Sequence, residues 1–527
     1  MRPEQFSELR RRRLDAERGR MDKQAPFTVA LAYPSPYRVG MSSLGYLQIY
    51  KRIQEEPGMA CERVFLPDDA GSKLFEETPI SYESLRPLSA FPVVALSVAY
   101  ELELAGLVQL LHASGIPPRA ADRDARHPLI VAGGPLTFSN PLPLATFADV
   151  IVMGEADSLA LDVLRVLRDD WGEALGSPEA RARALARLAA LPHVFVPSLH
   201  GDDMPAIAQC DDALLPAWSP IRTPDTELSD MFLIETERGC SRGCTYCVMR
   251  RSTNGGMRVV PKSRLLELIP EDAEKVGLVG AAVSDHPEIV AIVRALVERG
   301  ARVGLSSLRP DRLKEPFVAA LRDAGYRTLT TAMDGASDRV RQILDRRARG
   351  NHLVQAAELA RAHQIHRLKL YLMLGVPGET DEDVDECVAF VSELSRILPI
   401  ALTIAPFCAK RNTPLDGQPF AGIKLVDKRL ERLRRGLRGR ADVRATSARW
   451  AWVEYVLAQG GRPEGEALLT AVTRGGRFQD YRAAFAARPA PTKRRALVIV
   501  RERPREDARR TERWLEPAPA SVVDPAE

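Results

Sequence analysis

Three closely spaced cysteines constrain this chain more than any other feature. Cys240, Cys244 and Cys247 have the spacing C-x3-C-x2-C within the stretch E-R-G-C-S-R-G-C-T-Y-C-V-M-R. The 527 residues include only seven cysteines, which is not typical of a disulfide framework, so we interpret the three thiols as metal ligands. A structural zinc site takes four protein ligands, whereas an iron-sulfur cluster held by three cysteines leaves one iron open. The pattern favours the iron-sulfur cluster, and a zinc loop with a distant fourth ligand is the alternative.

The stretch from Met231 to Phe407 alternates short apolar runs with helical segments. This alternation predicts parallel strands joined by helices, and six such units suggest an incomplete version of the eight-stranded barrel. Functional sites in such barrels lie at the carboxyl ends of the strands, and the cysteine loop follows the first run. The six runs are F-L-I-E-T, G-L-V-G-A-A-V, A-R-V-G-L-S-S, T-L-T-T-A-M, L-K-L-Y-L-M-L and A-L-T-I-A-P-F.

The cysteine motif resembles the signature of the radical S-adenosylmethionine (SAM) superfamily, including the aromatic Tyr246 before the last cysteine. The resemblance implies a [4Fe-4S] cluster on the three cysteines, with SAM bound at the open iron. It also implies that the reduced cluster cleaves SAM, and that the resulting 5'-deoxyadenosyl radical abstracts hydrogen from an unreactive carbon. The implied partner is an electron donor such as flavodoxin or ferredoxin.

The later strand ends carry residues that the same resemblance assigns to SAM. Asp285, after the second run, would accept the ammonium group, because a carboxylate forms a charge-assisted hydrogen bond with it. The sequence A-M-D-G-A-S-D-R-V-R resembles the family pattern A-x-E-x-G-S-x-R, and L-M-L-G-V-P-G-E-T resembles G-x-P-G-E-T. The assigned residues are Tyr246, Ser284, Asp285, Ser306, Arg309, Asp334, Ser337, Arg339, Gly375, Gly378 and Glu379.

Residues 27–168 contain four apolar runs separated by helical stretches, which predicts a parallel sheet with helices between its strands. This region is similar to the cobalamin-binding domain that precedes many radical SAM enzymes, and the resemblance implies a flavodoxin-like fold. The resemblance gives Gly40, Ser97, Gly133 and Gly134 as candidate contacts. The loop after the first run has no histidine, so we expect cobalamin without a protein histidine on cobalt. A scaffold domain that has lost its cofactor is the alternative.

The C-terminal part is predicted to be helical. Residues 425–444 are predicted to form a basic helix, and residues 445–486 continue as a helical module whose aromatic side chains lie in the core. The tail from residue 488 is rich in Arg, Pro and Ala and is predicted to be disordered. The aromatic side chains are Trp450, Trp452 and Tyr455.

The length is too great for one core, so several domains are expected. We predict a basic N-terminal helix at 1–25, a cobalamin-binding-like domain at 26–170, a linker at 171–228, the partial barrel at 229–420, the helical module at 421–487 and the tail at 488–527. The net charge of +4 is too small to imply a nucleic-acid partner, although basic segments leave RNA contact open. With no run of eighteen apolar residues and no secretory core, we expect a cytoplasmic protein without a membrane partner.

We therefore expect a radical SAM enzyme acting on a small-molecule or macromolecular substrate that the sequence does not identify. If cobalamin binds, we expect the enzyme to transfer a methyl group to its substrate. If cobalamin does not bind, we expect a rearrangement or an oxidation of the substrate. A methylthiotransferase acting on a nucleoside or protein side chain is one alternative. That family has three further cysteines in its N-terminal domain, whereas this chain has only Cys61 and Cys210 there. A non-catalytic iron-sulfur or RNA-binding scaffold is the other alternative.

Overall fold

The computed structural model describes residues 3–487, except residues 72, 73, 76, 172–175, 251, 252 and 254. The predicted disordered tail at 488–527 lies outside the described residues. The described residues divide into two compact units, one formed by the residues up to 232 together with 456–487, and one by Leu233–Tyr455. Among the described residues, no helix has both the length and the apolar character needed to cross a membrane.

The first unit contains a six-stranded sheet with the strand order β2-β1-β3-β4-β5-β6. The first five strands are parallel, and β6 is antiparallel to β5. The order 2-1-3-4-5 is that of flavodoxin-like sheets, which confirms the predicted α/β class. The elements are α1 Pro3–Ala16, β1 Phe27–Pro36, α2 Tyr37–Gly40, α3 Leu44–Glu55, β2 Met59–Leu66, β3 Val93–Ser97, α4 Glu103–Ala113, β4 Leu129–Gly133, β5 Val150–Val152, α5 Leu159–Asp170, α6 Pro178–Ala189, β6 Val194–Phe195 and α7 Pro197–His200.

Two strands of this sheet were not predicted. Strand β2 contains Glu62 and Arg63, and these charges hide its strand character in the sequence. Strand β6 has only two residues and lies in the stretch predicted as a linker. Helix α6, from the same stretch, packs Ala180, Ala184 and Leu188 into the core of the first unit. The linker boundaries remain a prediction, although part of that stretch belongs to the sheet.

A buried ion network ties the N-terminal helix region to this sheet. The Arg63 guanidinium is fully buried and donates to both carboxylate oxygens of Glu17, at 2.7 and 2.8 Å, and to Glu83 at 2.7 Å. Arg13 of α1 is 5% exposed and pairs with Asp68 and Asp225. Part of the basic character of residues 1–25 is therefore internal rather than available to a nucleic acid.

The second unit places the six predicted runs in strands. They belong to two sheets, a three-stranded one of order β11-β10-β7 and a four-stranded one of order β12-β13-β14-β15, while β8 and β9 form an antiparallel hairpin. The elements are β7 Phe232–Glu235, β8 Glu237–Gly239, β9 Met257–Val259, α8 Lys262–Leu268, β10 Lys275–Val279, α9 Ile289–Glu298, β11 Arg302–Leu305, α10 Glu315–Asp323, β12 Thr328–Asp334, α11 Asp338–Ile343, α12 Gly350–Ala362, β13 Arg367–Leu374, α13 Asp381–Leu394, β14 Ile400–Pro406, α14 Ile423–Gly436 and β15 Ala441–Ala445.

The predicted basic helix over residues 425–444 is wrong at its C-terminal end. Helix α14 ends at Gly436, and residues 441–445 form β15, a further strand parallel to β14. The chain turns at Gly439, whose φ of +74° suits glycine and stops the helix. The helical periodicity of the basic residues hid this strand from the sequence analysis.

The C-terminal helices are α15 Ala448–Gln459, α16 Arg462–Thr473 and α17 Phe478–Ala486. Helix α16 belongs to the first unit and packs closely within it, because a Cβ at Gly465 would lie 2.4 Å from Thr146 Oγ1. Trp452 is 3% exposed, as predicted for a core residue, but Trp450 is 36% exposed, so its assignment to the core is wrong. The boundaries predicted for a separate C-terminal module remain a prediction.

Candidate functional site

The cysteine loop begins where the β8 strand ends, next to the carboxyl end of β7. Cys240, Cys244 and Cys247 are unpaired thiols; Cys244 is buried and the other two are half-buried. Gly239, with φ of +84°, allows the chain to turn directly before the first cysteine. The loop is fixed at its centre, where Thr245 donates from its amide to Leu344 O at 3.1 Å and from its hydroxyl to Ile343 O at 3.1 Å.

The three thiols are close enough to influence one another. Burial, together with the neighbouring thiols of Cys244 and Cys240, raises the pKa of Cys247 to about 11. Within the described part of the chain, no three His, Cys, Asp or Glu side chains are arranged to hold a single metal ion. A four-iron cluster does not need that arrangement, since each cysteine binds a different iron. The donor set therefore fits a cluster, whose positive charge would stabilise the thiolates.

Arg346 lies beside the cysteine loop and was not identified from the sequence. Its Nη1 is 4.0 Å from Cys244 Sγ, and its Nε is 2.6 Å from Asp334 Oδ2. Asp334 ends β12 with φ of +62°, a conformation that is uncommon outside glycine. The predicted SAM contact Asp334 is thus paired with an arginine that contacts a candidate cluster ligand. No pattern in the sequence marks Arg346, because its role comes only from its position after α11.

Tyr246 supports the loop from inside. Its ring packs against an apolar group at the carboxyl ends of the later strands, together with Met373 and Tyr455. This group excludes water from one side of the cysteine loop. Its buried members are Val340, Ile343, Leu344, Val376, Phe407, Ala409 and Leu415.

Asp285, the predicted ammonium acceptor, is surrounded by arginines. Its carboxylate accepts from Arg242 at 3.0 and 3.1 Å and from Arg312 at 2.7 Å, and Arg309 Nε lies 3.5 Å away. Burial alone would raise the pKa of Asp285, but the hydrogen bonds from Arg242 and Arg312 lower it to about 2. The carboxylate is therefore ionised, and an incoming ammonium group would compete with these guanidinium groups. Arg242 and Arg312 were not predicted as site residues.

The predicted serines brace the loops that follow β10 and β11. Ser284 Oγ accepts from Arg309 N at 3.0 Å, and Ser306 Oγ donates to Gly280 O at 2.9 Å. Ser307 Oγ accepts from Val283 N at 2.9 Å. These hydroxyls hold two strand ends together, as loop-bracing residues do.

Glu237 is a buried carboxylate that sequence analysis did not single out. Its Oε1 accepts from Ala282 N at 2.7 Å, and Oε2 accepts from the Thr236 hydroxyl. Burial raises the pKa of Glu237 to about 7, although both hydrogen bonds lower it. A Cβ at Gly280 would lie 2.0 Å from Oε1, so a larger residue there would displace the Glu237 carboxylate from this position. Glu237 therefore joins the start of the cysteine loop to the end of β10.

Ser337 and Arg339 connect the ends of β12 and β13. Ser337 Oγ accepts from Val340 N at 3.1 Å, capping α11, and donates to Asp383 at 2.6 Å. Arg339 pairs with Asp383 and donates to Gly378 O at 2.7 Å. Asp383 in turn caps α13 by accepting from Thr380 N. The structure brings together Ser337, Arg339 and Gly378, and their assignment to SAM remains a prediction.

Glu379 is held by a partner from α14 that the sequence did not reveal. Its Oε1 accepts from Gly375 N and from Arg429 Nη1, each at 2.9 Å. Burial raises the pKa of Glu379 to about 7, while Gly375 N and Arg429 lower it. Its buried Oε2 has no hydrogen-bond partner among the described residues. Oε1 of Glu379 thus fixes the loop after β13, and Oε2 remains as a hydrogen-bond acceptor at the end of that strand.

In the first unit, Ser97 and Gly133 are neighbours in register at the ends of β3 and β4. A Cβ at Gly133 would make ordinary contacts at 3.6 Å, which leaves space above it. Gly134 has φ of +107° and a Cβ there would lie 2.6 Å from Val98 O, while a Cβ at Gly40 would lie 2.4 Å from the Phe65 ring. The chain itself fills the space at Gly40 and Gly134, whereas a Cβ at Gly133, which pairs in register with Ser97, would meet only ordinary contacts.

The comparisons with known proteins agree with the geometry of the second unit. Residues 234–391 match the family model described as Radical SAM superfamily, and residues 45–197 match Radical SAM proteins, N-terminal. A protein of Methanocaldococcus jannaschii described as uncharacterized is 24% identical over 77% of this chain and 83% of its own length. The ribosomal protein uS12 methylthiotransferase RimO of Geotalea uraniireducens is 27% identical over 38% of this chain and 46% of its own length.

One solved structure is similar over most of the chain. The cobalamin-dependent S-adenosylmethionine radical enzyme OxsB, with aqua-cobalamin and S-adenosylmethionine bound, has a TM-score of 0.47 and 14% identity. The match covers 78% of this chain and 56% of OxsB, so this chain spans little more than half of the OxsB length.

Proposed function

We propose a function for this chain from one premise: it is a radical SAM enzyme, with its radical SAM domain at residues 234–391. The family implies a [4Fe-4S] cluster and SAM, which together supply a 5'-deoxyadenosyl radical that abstracts hydrogen from a substrate carbon. The observation that carries the proposal is the placement of three cysteines beside the first strand end, with polar side chains at the following strand ends. An electron donor of the flavodoxin or ferredoxin type is the proposed partner.

The residues of this chain would bind and shield the reacting groups. Cys240, Cys244 and Cys247 hold the irons, and the apolar group around Tyr246 keeps water away from them. The buried Arg346 contributes positive charge beside Cys244, where it offsets the negative charge of thiolates. The arginines around Asp285 form a cationic surface at the end of β10, which suits the carboxylate of SAM.

The test is an anaerobic SAM-cleavage assay on the full chain with a chemical reductant. We expect slow formation of 5'-deoxyadenosine without substrate, and loss of iron and of the EPR signal when all three cysteines are replaced by Ala. Glu379→Ala should weaken SAM binding by about tenfold, as expected when one buried charge-assisted contact is lost. Glu358→Gln, on the exposed side of α12, is the control and should bind SAM normally.

A full complement of iron in the triple variant would contradict the cluster assignment. A wild-type protein that assembles the cluster but forms no 5'-deoxyadenosine would favour the non-catalytic scaffold.

For the first unit, we propose cobalamin binding at the carboxyl edge of its sheet, with methyl transfer to the substrate as the outcome. Support comes from the flavodoxin-like strand order, which places ligands at the crossover between β1 and β3, and from the absence of close contacts at Gly133, which pairs in register with Ser97. The loop directly after β1 contains no histidine, since the first histidine of the chain is His112. This loop would therefore supply no histidine ligand to cobalamin. Cobalamin would supply the methyl group when bound.

The cobalamin proposal is tested by gel filtration after incubation with hydroxocobalamin. The wild type should retain corrinoid with a base-off spectrum, and Gly133→Leu should lose it by filling the space above β4. Gly71→Leu is the control, because nothing lies within 4 Å of its Cβ position. If the wild type retains no corrinoid, the methyl-transfer proposal fails, and a radical enzyme with a scaffold domain remains.

Methylthiotransferase activity is the second candidate, because several of the similar proteins carry that name. Those enzymes match only about a third to a half of this chain. Cys61 and Cys210, the cysteines of the first unit, are both buried among core residues. Iron analysis distinguishes the two candidates, since a second cluster would double the iron content expected for one.

A further inference from the structure

The inner face of the four-stranded sheet in the second unit is not filled like the interior of a closed barrel. Along β13, the outward side chains Leu368, Leu370, Leu372 and Leu374 are all buried. The alternate positions Lys369, Tyr371 and Met373 are half-buried or exposed, and Tyr371 is 43% exposed. Closed barrels pack this face with layers of bulky branched residues, so its partial exposure indicates that the face is open rather than filled by the chain itself.

Small side chains flank the large ones on both neighbouring strands. Lys369 pairs in register with Thr330 of β12 and with Ala401 of β14. Tyr371 pairs with Ala332 and Thr403. Neighbouring strands lie about 4.8 Å apart, so these short neighbours leave room around the lysine and the ring.

Lys369 brings a positive charge into this space. Its Nζ lies 5.0 Å from the centroid of the Tyr371 ring, and it forms no ion pair with a carboxylate in the described part of the chain. Asp442 of β15 is in register with Ala401 of β14, the neighbour of Lys369, and it pairs with Arg444 at 3.3 Å. The face therefore carries more positive than negative charge, and a half-buried ammonium group without a counter-ion is stabilised by an anion.

The same strand leads from this lysine to the cysteine loop. Met373 packs on the apolar group that contains Tyr246, whereas Lys369 lies four residues earlier on the same face. At about 3.3 Å per residue, the two side chains are separated by about 13 Å along the strand. A small molecule could thus reach from the loop to the lysine.

We propose that the inner face of β13 is the substrate subsite, and that it binds a small molecule with an anionic group on Lys369 and a planar ring against Tyr371. This inference rests on the proposed radical SAM function, because that function places the reacting end of the substrate near the cysteine loop. It identifies the substrate class as an anion with a planar ring, of a size that fits along the roughly 13 Å of β13 between Lys369 and Met373. The ring contact uses the exposed face of Tyr371.

The test measures binding of phenyl phosphate to the full, reconstituted chain by ligand-observed NMR. Lys369→Gln should weaken binding at least fivefold, whereas Lys369→Arg keeps the charge and should stay within twofold of the wild type. Tyr371→Ala should weaken phenyl phosphate binding but not the binding of inorganic phosphate. Lys424→Gln, an exposed lysine of α14, is the matched control and should have no effect.

Equal affinities for the wild type and Lys369→Gln, no binding to the wild type, or equally tight binding of neutral benzyl alcohol would each overturn the proposal. SAM binding is measured on the same wild-type sample. If SAM fails to bind while the phenyl phosphate comparison behaves as expected, the proposed function fails and the anion subsite stands.

Discussion

Single residues around the cysteine loop carry charge in buried positions. Arg346 with Asp334, Arg429 with Glu379 and Glu237 beside Gly280 each place a charged or titratable group at the end of a strand. Such groups are costly to bury unless they are paired or hydrogen-bonded. Their concentration at one end of the strands is typical of a functional site.

Glu237 gives a prediction on pH. Its folded-state pKa of about 7 lies above the unfolded value of 4.5, so the folded chain holds a proton that the unfolded chain releases between these values. This contribution to stability is complete below pH 4.5 and is lost as the pH rises through 7. The substitution Glu237→Gln removes this titrating group. Between pH 5 and 7 the free energy of unfolding of the variant should therefore fall less steeply with pH than that of the wild type. The two slopes should differ by up to about 1.4 kcal/mol per pH unit.

Urea unfolding of the cluster-free chain at pH 5, 6 and 7 measures this slope. Glu358→Gln serves as the control, since its side chain is exposed. An unchanged slope in Glu237→Gln would mean that Glu237 titrates normally.

At the scale of elements, the ends of helices decide where the strands of the second unit begin. Helix α13 starts at Asp381 because Thr380 and Asp383 form a capping box, and Asp383 also pairs with Arg339, which donates to Gly378 O after β13. Helix α14 ends at Gly436, and the turn at Gly439 directs the chain into β15. The element boundaries thus position side chains on the inner face and at the strand ends.

The turn at Gly439 gives a prediction with a matched control of opposite sign. Nothing lies within 4 Å of a Cβ at Gly439, so Gly439→Ala should destabilise the chain through its φ of +74° alone, by about 1 kcal/mol. Gly45, in the first turn of α3, also has nothing within 4 Å of its Cβ position, but its φ is not positive. Gly45→Ala should therefore stabilise the folded chain, by up to about 1 kcal/mol. Thermal or urea unfolding of both variants checks the two signs, and equal effects would contradict the strain argument.

At the scale of the whole molecule, two α/β units are each built on their own core. The first unit joins segments distant in sequence through the ion network of Glu17, Arg63 and Glu83. Burial and the lack of competing water make such a network sensitive to the loss of one member. The second unit instead uses short-range caps and strand pairing around its site.

We expect the buried ion network to contribute to the stability of the first unit. Arg63→Met leaves two buried carboxylates without their cation and should lower the free energy of unfolding by about 3–5 kcal/mol. Arg126→Met, which removes an exposed pair with Asp124, should leave unfolding unchanged. Urea unfolding followed by tryptophan fluorescence compares the variants, and a similar small loss for both would show that the buried network does not stabilise the unit.

The sequence by itself determined the features that depend on local pattern. The cysteine spacing, six of the strands of the second unit and four of the strands of the first follow from ligand spacing and apolar periodicity, which neighbouring residues encode. Strands β2 and β15 were missed because charged residues interrupt that periodicity, and only pairing with other strands makes them strands.

Only the tertiary structure decided which side chains meet. Arg346 contacts Cys244 although 102 residues separate them in the sequence, and Arg429 contacts Glu379 across 50 residues. The arginines around Asp285 come from two different loops. The open space around Lys369 likewise depends on residues from three strands. Contacts of this kind depend on strand order and register, which no local pattern in the chain specifies.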